Sequence, residues 1–140
     1  MERWIVYAIV SMVFAGFTSV IAKKGLNGIS GELGIVVRTC FVFCFVLLFG
    51  AFTVGAREAK SLTQENVLWL ALSAVTTAAS WIFYYKAIKE GQVSTVTLID
   101  KGSFLVAVLM AWLVLGERVT GRVVLGSALI LAGLLVVARR

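Results

Sequence analysis

Apolar residues in this chain come in long unbroken blocks, and polar residues gather in the short stretches between them. Five blocks can be drawn, over residues 4–22, 33–54, 67–85, 93–115 and 119–138. Each is close to or above the roughly 18 to 20 apolar residues that a helix needs to cross a hydrocarbon core about 30 Å thick. They do not alternate apolar and polar residues as membrane-barrel strands do. In lipid only helices and closed barrels satisfy the backbone. The pattern therefore predicts an all-α integral membrane protein, a bundle of five transmembrane helices in a single domain over residues 1–140. Connectors at 23–32, 55–66, 86–92 and the tight turn 116–118 carry the charges. The first block is read as a span, since a signal-peptide core is shorter and more blocks of similar length follow.

Composition agrees. At 61% hydrophobic, with no His and no Pro, the chain holds more apolar surface than a soluble domain of this size can hide. The net charge of +6 does not point to nucleic acid, because loop Lys and Arg are what orient a membrane protein and no basic run with interleaved aromatics is present. The lipid bilayer is the partner the composition implies. With five spans the termini lie on opposite sides. One side holds Arg3, Arg57, Lys60, Arg118 and Arg122, the other Lys23, Lys24, Lys86, Lys89, Arg139 and Arg140, five against six. So even a balance predicts insertion both ways round. Adding Arg38 and Lys101 to the second side makes eight against five, which favours one orientation with the N-terminus outside.

Catalysis finds little support: there is no His, no Gly-rich phosphate loop and no nucleophile with a base, and no cofactor is implied. Cys40 and Cys44 are the only cysteines. They stand inside an apolar block with nothing to complete a metal site, and read as small packing residues.

The polar residues inside the blocks are the candidates for chemistry. From Gly102 to Leu115 a helix runs only roughly 21 Å at 1.5 Å per residue, so the fourth span must draw Asp100 and Lys101 toward the membrane. Ionisable residues there are costly and usually functional; the alternative is a neutralising pair that snorkels and holds the helix end. Arg38, early in the second span, is expected at the interface, with an ion pair to Asp100 as the alternative. On the third span Asn66, Ser73, Thr77, Ser80 and Tyr84 share an arc of roughly 60°. Leu68, Ala71, Val75, Ala78 and Ile82 fall opposite. Such a stripe either packs against a helix or lines a watery cavity. Ser11 and Thr18 repeat the theme on the first span. Trp81 and Tyr85 are expected in the interfacial aromatic belt. Gly126 and Gly133 share a face of the last span and permit close helix approach, within the chain or between two copies.

Residues 70 to 138 resemble one half of an EamA-type member of the drug/metabolite transporter superfamily. The resemblance rests on Tyr84–Tyr85–Lys86–Ala87–Ile88, the Leu115–Gly116–Glu117–Arg118 turn and the helix from Gly126 to Gly133. Ala15–Gly16, Lys23–Lys24 and Arg38 agree more loosely, so the likeness covers nearly the whole chain. Most members carry two such five-helix halves in inverted orientation. The likeness to the short, single-domain bacterial and archaeal branch implies half of an inverted-repeat ten-helix transporter in the cell (inner) membrane. The family often has a Pro before the fourth span's core, where this chain has Val96–Thr97–Leu98–Ile99–Asp100–Lys101. The related small multidrug resistance proteins use a carboxylate in their first helix; the first span here has none.

The expectation is a secondary transporter of a small metabolite or drug-like molecule, an antiparallel homodimer working by alternating access. Ser73, Thr77, Ser80, Tyr84, Ser11 and Thr18 would line its cavity, with Asp100, Lys101 and Arg38 binding or gating. The rivals are a non-transporting subunit packed on a larger partner and a lipid-carrier flippase component.

Overall fold

The computed structural model describes residues 2–138, and every regular element among them is a helix. They are α1 (Arg3–Gly25), α2 (Gly31–Thr53), α3 (Ala56–Lys60), α4 (Gln64–Glu90), α5 (Val93–Asp100), α6 (Ser103–Leu115) and α7 (Gly121–Ala138). Four spans are long and apolar enough to cross a membrane: α1, α2, α4 and the stretch Val93–Leu115 taken through its break. α7 is a shorter apolar helix. The chain is thus an all-helical, multi-pass membrane protein. Three details differ from the sequence pattern. A short helix, α3, occupies the 55–66 connector; α4 outruns the expected 67–85 at both ends; and the fourth span is two helices rather than one.

The turns follow from local chemistry. Gly28 takes a left-handed φ of 76° between α1 and α2, a conformation open to Gly at little cost. Ser30 then caps α2, its side chain accepting a hydrogen bond from the Leu33 N–H at 3.1 Å, which satisfies one of the orphan donors of the first turn. Thr63 does the same for α4, accepting from the Asn66 N–H at 3.2 Å. α6 ends at Gly116, with φ 67°, and the Glu117 N–H bonds back to the Ala111 carbonyl at 3.2 Å, satisfying one of the carbonyls near the helix end.

The chain divides after Glu90 into two compact units. In the first, α2 and α4 pack together, and Leu26, Ile35, Tyr85 and Ile88 form its small buried core. Most other apolar side chains are exposed, as with Phe52 at 84% and Phe83 at 71%. Water would not tolerate that surface; lipid, as apolar as the side chains, does. Two lysines tie the ends of α1 and α4 reciprocally. Lys23 Nζ donates to the Ile88 and Lys89 carbonyls, and Lys89 Nζ donates to the Leu26 carbonyl at 2.9 Å. Each cation thus meets the carbonyl-rich, negative end of the other helix. Lys86 and Glu32 form an exposed ion pair at 3.2 Å, which solvent screens.

In the second unit α5 and α7 pack together around Leu134, which is buried. The fourth span breaks at Lys101 and Gly102, whose ψ values of −16° and −18° belong to a tighter helix. Three i→i−3 bonds, Gly102 to Ile99, Phe104 to Lys101 and Leu105 to Gly102, replace the α ladder there. Gly102 lets the break sit against α7: a Cβ on it would stand 3.4 Å from Leu134 Cδ1.

Candidate functional site

The site is built on the contact between α2 and α4. At one end of this antiparallel pair the backbones approach so closely that a Cβ on Gly31 would lie 3.0 Å from the Tyr85 carbonyl oxygen. Gly34 gives its space to the Leu26 side chain and the Tyr85 ring. Past this contact the pair frames an open cleft of about 770 Å³ running from Ile35 and Ile82 to Phe43 and Leu70. Its wall is mostly apolar, with Ser73, Thr77 and Thr39 as polar points and Cys40 and Trp81 beside them.

Two of the three hydroxyls in this wall are already engaged. Thr39 donates to the Ile35 carbonyl at 2.7 Å and Thr77 to the Ser73 carbonyl at 2.8 Å. A Thr bonded to its own helix in this way offers the cleft an oxygen lone pair, not a proton.

Of the third-span stripe, Ser73 and Thr77 reach the cleft, but Ala78 and Ile82, expected on the opposite face, line it too. The helix is turned so that Trp81, not the stripe, lies near the middle of the lining face. Tyr84 has a different task, donating from its hydroxyl to Ser19 Oγ at 2.7 Å and joining α4 to α1. Ser19, the buried polar residue of α1, was not singled out from sequence. Ser80 and Ser11 are exposed. Thr18 lines a second cleft, about 510 Å³, between α1 and α2.

Arg38 faces that second cleft, in a setting the sequence reading did not contain. Its guanidinium carbon stands 4.2 Å from the centroid of the Trp81 ring and 6.0 Å from that of Tyr85. Both are within the range of cation–π attraction. The side chain therefore lies where the two clefts adjoin, Trp81 facing one and Arg38 the other. Its Nη1 is buried with no hydrogen-bond partner among the described residues. Interhelical spacing hid this group; the clue available was Ser73, Thr77, Trp81 and Tyr85 recurring every four residues along one line of α4.

In the second unit Asp100 is the half-buried last residue of α5, and Lys101 follows it as the C-cap at the break. Within the second unit, no atom among the described residues lies within 4 Å of a Cβ placed on Gly126 or Gly133. No group of three or more His, Cys, Asp or Glu residues able to hold a metal occurs among the described residues.

Comparison with known proteins agrees with this architecture. A protein of Sinorhizobium sp., described as an uncharacterized transporter in cobO 3'region, is 33% identical over 137 residues, covering 98% of this chain and 97% of its own length. No solved structure matches. The model of the EamA-like transporter family matches residues 2–139. With that match over spanning helices that frame a cleft, the chain belongs to the EamA-like transporter family.

Proposed function

We propose that the protein is a secondary transporter of a small metabolite or drug-like molecule in the cell membrane, and not an enzyme. Two copies in antiparallel orientation form the working unit and alternate access to a shared site. The observation that carries this reading is the α2–α4 cleft, framed by two membrane-crossing helices. Its volume falls within the roughly 300–1,000 Å³ of small-molecule sites, and its mostly apolar lining suits a solute that must leave water.

Two observations support pairing. The loop charges are nearly balanced between the two sides, five Lys and Arg against six, so both orientations are open to one chain. Gly126 and Gly133 have no close neighbours among the described residues of their own unit and would let a second copy approach along α7. The broken fourth span adds a gate. Interrupted helices are where transporters place ion and substrate contacts, and Asp100 and Lys101 put both signs of charge at the interruption.

Purified protein reconstituted alone into liposomes is expected to carry solute saturably, with a C-terminal tag accessible from both sides. Vesicles that stay tight to a broad panel of anions, cations and neutral metabolites would instead support a subunit of a larger assembly.

A further inference from the structure

We propose that Arg38 is the receptor for a carboxylate, and hence that the transported solute is a small organic anion with an apolar body. This rests on the transporter reading above. Three observations converge on it. Arg38 lies seven residues into α2, roughly 10 Å along the helix, and its guanidinium is held at Trp81, well inside α4, rather than at a helix end. Its buried Nη1 has no hydrogen-bond partner among the described residues, a costly state that native proteins keep where a ligand completes the set. Among the described residues lining the two clefts, Arg38 is the one charged side chain.

These facts choose between solute classes. A lipophilic cation would need a carboxylate or a bare aromatic face. The linings contain no carboxylate, and although Phe41, Phe43 and Phe45 offer aromatic faces, the Arg38 charge beside them repels a cation. A neutral solute could satisfy Nη1 but not the charge. A carboxylate does both, because the guanidinium fork matches its two oxygens. The indole holds the fork in plane and lowers the entropy lost on binding. The apolar body then lies along the cleft walls, where Thr39 and Thr77 present oxygen lone pairs rather than protons and so do not compete for the anion.

The test uses three probes of one shape and different charge: benzoate, benzamide and benzylamine. In a Trp4→Phe, Trp69→Phe, Trp112→Phe background, Trp81 is the remaining indole and its fluorescence reports the site directly. Benzoate is expected to bind saturably, with benzamide and benzylamine weaker by about tenfold or more. Arg38→Gln should remove that order, and Arg38→Lys should keep part of it. The order of the three probes in the Arg38 chain needs no variant that might misfold. Equal binding of all three, a preference for benzylamine, or no benzoate binding would overturn the proposal. So would benzoate binding that arises only in Asp100→Asn, since Arg38 would then belong to an internal ion pair. Flux in liposomes separates the two readings. Benzoate that binds but never crosses contradicts transport and leaves the anion site standing; benzylamine that crosses while benzoate does not contradicts the anion site and leaves transport standing.

Discussion

Gly31→Val should leave little folded protein to purify, and what survives should unfold at markedly lower denaturant. The reason is backbone against backbone. A Cβ at Gly31 would lie 3.0 Å from the Tyr85 carbonyl oxygen, 3.1 Å from its carbon and 3.3 Å from the Lys86 nitrogen. No rotamer change relieves such a contact, so α2 and α4 must separate. That loosens Tyr85 and Ile88, two of the few buried side chains in the unit. Overpacking of this kind costs about 1–3 kcal/mol, a large part of a marginal stability. Gly34→Ala is expected to be milder, because the atom its Cβ would meet is the tip of the flexible Leu26 side chain. Gly16→Val serves as the control: among the described residues no atom lies within 4 Å of a Cβ there. Unfolding by SDS titration in mixed micelles, with the three variants side by side, reads the ranking.

Asp100→Asn should reduce flux about tenfold or more, the loss that accompanies one missing charge-assisted contact, while expression and helix content stay unchanged. Asp100 ends α5 where the α ladder gives way to i→i−3 bonds. The backbone there is already distorted, so exchanging a carboxylate for an isosteric amide disturbs the fold little. What it removes is the negative charge beside Lys101. A normal flux with impaired assembly would assign Asp100 to structure instead, the cost being that of a Lys101 left without its counter-charge.

The spans were legible because lipid imposes a coarse rule, a long apolar block with caps at its ends, and Ser30, Thr63 and Gly116 stand where that rule needs them. The fourth-span break was not read, since residues 93–115 form one apolar block; the clue available was Gly102 following an ionisable pair. Nor was the rotation of α4. Polar residues usually mark the inward face of a membrane helix, but a Ser or Thr that bonds its own i−4 carbonyl needs no partner across the helix. Thr77 does this with the Ser73 carbonyl and Thr76 with the Leu72 carbonyl. The stripe therefore lost its authority over which face turns in, and the bulk of Trp81 and the small Ala74 and Ala78 decided it. The Arg38–Trp81 stack was hidden for another reason. It joins two helices far apart in sequence, and only the register set by the Gly31 contact brings them level.

Thiol labelling in membranes tests most directly whether the α2–α4 cleft is a watery path, since a thiolate forms and reacts where water reaches it. Cys40 lines the cleft and Val75 does not. A small charged thiol reagent should therefore modify Cys40 in a Cys44→Ala chain, and should modify Ser73→Cys and Ala78→Cys in a chain without native cysteines. Val75→Cys should stay protected in lipid. Labelling of Cys40, Ser73→Cys and Ala78→Cys no faster than that of Val75→Cys would contradict a hydrated cleft, and with it the site on which the transport account depends.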